Sequence, residues 1–107
     1  MIYIASPYTN EHTAVVEDRY ERVMAFTAQK ANEGHIVFSP IVHCHEMAKN
    51  HKLPTDHIFW GKQNIGMLRV CEALWVLKLK GWNKSSGVIQ EIKWARQLGI
   101  PVTYFDE

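Results

Sequence analysis

Apolar residues fall into four short runs separated by stretches in which they recur every three or four positions. The runs are 2–5 (IYIA), 35–39 (HIVFS), 73–79 (ALWVLKL) and 101–105 (PVTYF). Each is short, rich in β-branched or aromatic residues, and bounded by Pro or Gly, so each predicts a strand. Runs apolar on both alternations suit a parallel sheet covered on both faces. Between them the period changes. Over 13–32, Val16, Tyr20, Val23, Thr27 and Ala31 share one helical face, and Gly34 stands where a helix end needs positive φ. A second helix is expected from about Asp56, an N-cap after Pro54, to about Val70. A third is expected over 86–97 with Gly99 beyond it, and a shorter one over 42–50.

The order βαβαβαβ predicts right-handed crossovers and one domain over residues 1–107. It is an α/β, Rossmann- or flavodoxin-like three-layer fold, with a parallel sheet of four to five strands and helices on both faces. Ligands in such sheets bind beyond the carboxyl ends of the strands, where strand order reverses. That rule selects three loops: 6–10, 39–45 and 81–87.

Composition narrows the classes. With 107 residues, 47% hydrophobic, the chain suffices for one core. A net charge of +1 without basic runs argues against a nucleic-acid polymer as partner. No apolar run approaches the roughly 20 residues of a membrane span, and MIYIASPY is not a signal peptide. Cys44 and Cys71 lack metal-site spacing and read as reduced thiols, so a cytoplasmic location is expected.

Candidate chemistry sits in the three loops. The third carries Ser85, Ser86 and Gly87 at a helix start, where backbone N–H groups and the helix dipole favour an anion. Glu91 lies one turn further in and can face the same crevice. A carboxylate there can attack or stabilise a developing cation at a sugar carbon. An ordinary capped surface helix with Glu91 in solvent is the alternative on composition alone. In the first loop Ser6 can bind a phosphate or sugar oxygen, and Tyr8 can hydrogen-bond a ligand or stack on it. The same residues also suit a simple turn, with Asn10 or Thr13 capping the next helix. Of His43-Cys44-His45-Glu46, a histidine, taken as His43, is expected against base or sugar rather than on a metal, because adjacent residues rarely share one ion. Asn64 shares a helix face with Trp60, Met67 and Cys71, as a core amide or a ligand contact. Trp82 is the tryptophan best placed for function.

Several of these segments together resemble the nucleoside 2-deoxyribosyltransferase-like superfamily, and most closely its small DUF1937 and DUF4406 types. The segments are IYIASPYT, Gly34-His35-x-Val37-Phe38-Ser39-Pro40, Met67-Leu68 before Cys71-Glu72-Ala73-Leu74, Gly81-Trp82…Ser85-x-Gly87-x-x-x-Glu91, and Gly99-Ile100-Pro101-Val102. The resemblance spans nearly the whole chain. It implies that Glu91 is a nucleophile at the anomeric carbon of a nucleoside or nucleoside 5′-monophosphate. It places Ser85 and Gly87 at a 5′-phosphate, and Ser6 and Tyr8 at the sugar. The implied activity is an N-glycosidase or deoxyribosyltransferase needing neither cofactor nor metal, in a homo-oligomer. Neutral Ser85 and Ser86 leave an incoming phosphate unrepelled, which favours a nucleotide. One position departs: Asn64 stands where the family carries an aspartate, and an amide cannot act as acid or base at neutral pH. Glu72 replaces a second, helix-end aspartate. The alternative is therefore a nucleotide-binding module without efficient catalysis. A related phosphoribohydrolase reading would want a PGGxGTxxE loop, which GWNKSSGVIQE lacks.

Overall fold

The computed structural model describes residues 1–51, 53 and 57–107. Its elements run β1 (Ile2–Ala5), α1 (Thr13–Asn32), β2 (Val37–Phe38), α2 (Pro40–His51), α3 (His57–Leu68), β3 (Ala73–Leu77), a 3-10 turn (Trp82–Lys84), α4 (Ser86–Gln97) and β4 (Val102–Phe105). The four strands form one parallel sheet in the order β2-β1-β3-β4. The chain is thus an α/β three-layer fold, as expected.

Alternation along the strands builds both layers. Tyr3, Ala5, Leu74 and Val76 face one way, where Leu68, Cys71, Val88 and Ala95 of α3, α4 and their connections complete a core. Ile4 and Leu77 face the other way, onto Val23 and Phe26 of α1. Trp94 lies 3.6 Å from the position of a Cβ at Gly61, so α3 and α4 pack closely where that side chain is missing.

Several boundaries move from the sequence expectation. β2 keeps only two of the five residues expected over 35–39, because it is an edge strand paired only with β1, at Ile2 with Val37 and Tyr3 with Phe38. The loop expected at 39–45 is helical: Pro40 tolerates a first helical position, and Ser39 Oγ accepts from Val42 N–H at 3.2 Å. The helix expected over 42–50 accordingly runs over Pro40–His51. β3 ends at Leu77 rather than at 79, and β4 begins at Val102 rather than at Pro101, which has no N–H to donate. α3 ends at Leu68, two residues early; its expected cap, Asp56 after Pro54, lies outside the described residues. α1 and α4 have the expected bounds. On α1, however, Phe26 enters the core and Ala31 is exposed. Neither Asn10 nor Thr13 caps α1: His12 holds that position, and Asn10 Oδ1 instead accepts from His12 N–H at 2.9 Å. Gly34, with φ 101°, closes α1 as expected: its N–H reaches Ala31 O at 3.0 Å.

The strand order reverses between β1 and β3, whose following helices leave on opposite faces. The loops after these two strands lie on either side of that reversal, the place where ligands gather in such sheets. Among the described residues, no helix is long and apolar enough to cross a membrane.

Candidate functional site

Glu91 is buried, with 6% of its surface exposed, which excludes the solvated surface-helix alternative. It lies five residues into α4 on the face turned to the sheet, and it accepts a hydrogen bond from the Tyr3 hydroxyl of β1. Burial pushes the Glu91 carboxyl up to about 7, and the Tyr3 hydrogen bond opposes part of that rise. Tyr3 is itself fully buried beside this carboxylate, and its phenol is held well above the usual range, so it remains a donor. A carboxylate nearly half ionised at neutral pH, out of bulk water and held by one donor, is suited to nucleophilic or acid–base chemistry.

The loop feeding α4 is built for close approach. Gly81 has φ 89°, and a Cβ there would come within 3.0 Å of Arg19 Nη2. The Ser85 side chain caps α4, accepting from Val88 N–H at 3.3 Å, while its own hydroxyl hydrogen stays free to donate. Gly87 is exposed in the first turn beside Ser85 Oγ. Trp82 packs on Tyr104 with ring centroids 5.5 Å apart and against the core between α4 and the sheet, where it is partly buried.

Arg19 of α1 ties two crevice loops together. Its Nη1 donates to Thr9 O at 3.0 Å and more weakly to Tyr8 O at 3.5 Å; its Nη2 donates to Lys80 O at 3.2 Å. One planar fork thus holds the loop after β1 against the loop after β3. Arg19→Ala should speed amide hydrogen exchange at residues 8–10 and 80–84 about tenfold, since losing charged hydrogen bonds is worth roughly 1–2 kcal/mol. Arg19→Lys should not restore protection, because one ammonium cannot span the three carbonyls. Unchanged exchange in Arg19→Ala would exclude the clamp.

In the first loop, Ser6 is buried and its Oγ has no hydrogen-bond partner among the described groups. Tyr8 is half-buried, and its hydroxyl lies 2.5 Å from His45 Nδ1. His45 of α2 is buried and stacked on Tyr20 of α1, 4.0 Å between ring centroids and 20° between planes. On its other side His45 Nε2 lies 3.3 Å from Glu17 Oε1, near enough for an ion pair but not aligned as a hydrogen bond.

His43 points elsewhere. It packs on Phe38 and lines a cavity of about 250 Å³ between α2 and α3. Asn64 lines the same cavity with Trp60 and Met67, the helix face read from the sequence. His43 and His45 therefore diverge. Among the described residues, no three His, Cys, Asp or Glu side chains are placed to hold a metal ion. Glu72 lies far from this region: it pairs with the N-terminal ammonium at 3.0 Å, at the amino end of β1. Asn64, eight residues earlier in the chain, lies within α3. Cys44 and Cys71 are both free.

The structure thus joins His43 and Asn64 at one cavity. It places Ser6 and Tyr8 on one crevice loop, with Trp82, Ser85 and Gly87 on the other, and Glu91 beneath. Sequence reasoning missed Tyr3 and Arg19, and of the two neighbouring histidines it chose His43 rather than His45. Tyr3 read only as part of the first strand, and Arg19 fell within the first helix with nothing to single it out. Against this geometry, no curated protein matches the chain. A family model matches it from end to end, residues 1–107, and the chain belongs to that family, the domain of unknown function DUF1937.

Proposed function

We propose that the chain is a nucleoside 2-deoxyribosyltransferase-like enzyme, an N-glycosidase or deoxyribosyltransferase acting on a nucleoside or nucleoside 5′-monophosphate. The observation that carries this reading is the buried Glu91 carboxyl, held by Tyr3 and raised to about 7. In its ionised form Glu91 attacks the anomeric carbon. The C–N bond breaks, the base leaves with its bonding electrons and takes up a proton, and a glycosyl ester forms on Glu91. Water or a second base then attacks the same carbon and frees the carboxylate. Ser85 and Gly87, at the positive end of α4, suit a 5′-phosphate. The cavity lined by Phe38, Trp60, His43 and Asn64 offers apolar walls and a few polar atoms for a planar base. A homo-oligomer and a cytoplasmic setting belong to the same proposal.

The second reading, a nucleotide-binding module, is favoured by Asn64, which cannot shuttle a proton. Incubation with a panel of nucleosides and monophosphates, followed by chromatography for free base, separates the two. The enzyme releases base, and Glu91→Ala abolishes the release. If no substrate yields base while a monophosphate still raises the melting temperature, the binding module is correct. Within either reading, Ser85→Asp should weaken monophosphate binding at least tenfold more than nucleoside binding; equal losses would remove the phosphate from this loop.

A further inference from the structure

Departure of a purine from a sugar is assisted by a proton on a ring nitrogen such as N7, which neutralises the base as the C–N bond breaks. Asn64 cannot supply one, and in the proposed function Glu91 is committed as nucleophile. Another titratable chain begins on the loop after β1. The Tyr8 hydroxyl stands 2.5 Å from His45 Nδ1, and His45 Nε2 stands 3.3 Å from Glu17 Oε1. His45 is buried and stacked on Tyr20, so its ring is held in one orientation. Glu17 is partly exposed and is shared with Lys49 Nζ at 3.6 Å, which links the chain to solvent. Arg19 holds the carbonyls of Tyr8 and Thr9 beside Lys80 at the head of the loop that leads to Glu91.

We propose that Tyr8, His45 and Glu17 form a proton relay that protonates the departing base and later deprotonates the attacking water. This rests on the glycosidase reading of Glu91. With His45 protonated and braced by the Glu17 carboxylate, Nδ1–H donates to the Tyr8 oxygen and the Tyr8 O–H points to the ligand. As the C–N bond breaks, the Tyr8 proton passes to the base nitrogen and the Nδ1 proton passes to Tyr8. His45 is left neutral, its remaining Nε2–H toward Glu17. When water attacks the glycosyl ester, its proton goes to Tyr8 and the Tyr8 proton returns to Nδ1. One proton leaves the relay and one comes back, so each turnover closes. Tyr8 touches the reacting atoms; His45 and Glu17 act through it, as positioning and proton-storing residues.

A base that already carries its positive charge needs no acid. Single-turnover release should therefore be compared for guanosine 5′-monophosphate and its N7-methylated form. Tyr8→Phe and Glu17→Gln should slow guanine release about 100-fold, within the usual range for a lost acid, and slow 7-methylguanine release less than threefold. His45→Asn should follow the same pattern; Glu17→Gln, on a partly exposed side chain, keeps the test open should the buried substitution fail to fold. Glu91→Ala should abolish both releases. A wild-type protein active on these nucleotides whose Tyr8 and Glu17 variants slow both substrates equally, or neither, overturns the relay alone. A wild-type protein that releases no base from these nucleotides or from any member of the panel overturns the glycosidase reading and the relay together.

Discussion

Replacing Glu91 with glutamine should stabilise the protein at pH 8 by on the order of 3 kcal/mol and, under the proposed function, abolish base release. The folded carboxyl is raised to about 7 from an ordinary 4.5, because burial disfavours its charge. Between those values the folded protein binds a proton that the unfolded chain has released. The stability this proton contributes is fully present below about pH 4.5 and is lost as pH rises to about 7. At about 1.4 kcal/mol per pH unit, the loss amounts to roughly 3 kcal/mol. Glutamine stays neutral throughout and still accepts from the Tyr3 hydroxyl, so it escapes the loss. The two proteins should have similar melting temperatures near pH 4.5, and the variant should melt on the order of 10 °C higher at pH 8. Melting curves of both across this range check it, since every other titrating group cancels in the difference. A constant difference from pH 4.5 to 8 would mean that Glu91 is not charged in a buried place.

Tyr3→Phe should produce the opposite signature. The phenol favours the ionised carboxylate, so its removal moves the Glu91 titration above 7. Under the proposed function, the rising limb of the pH–rate profile shifts upward by about one unit, and the rate at pH 7 falls about fivefold while that at pH 9 largely recovers. The ring is fully buried and Phe keeps its volume, so packing is preserved. Above pH 7 stability should still fall by roughly 1.5–3 kcal/mol, the usual worth of a hydrogen bond to a charged group. A uniform drop in rate at every pH would assign Tyr3 a purely structural part.

Much of this arrangement was legible in the chain. The two long segments with helical spacing, 13–32 and 86–97, became α1 and α4 with those bounds. Val23 declares its face locally through the period of 3.6, and strands apolar on both alternations announce cover on both sides, so the layers could be read before folding. The crevice loops followed from topology, since ligand sites gather where strand order reverses. β2 was overestimated because apolar content does not report how many partners a strand will find, and β2 has only β1. The segment after Ser39 was misread as loop because the Ser39–Pro40 pair marks a helix start as readily as a turn.

The site is less legible. Tyr3 and Glu91 are 88 residues apart, and no periodicity links them. Their contact exists because β1 occupies the middle of the sheet and α4 is laid across it. His43 and His45 differ by two positions, and on a helix that turns them roughly 200° apart: one lines the cavity and the other is buried against α1. Arg19 shows no sign of its partners, which are backbone carbonyls with no identity of their own. By itself the sequence determined the element order, the parallel three-layer sheet and the two loops that frame the crevice, because these depend on local spacing and chain connectivity. The tertiary structure alone decided that Glu91 is out of water, that Tyr3 holds it, and that Tyr8 and Glu17 stand on either side of His45, because burial and charge coupling depend on distances between segments that meet only when the sheet is assembled.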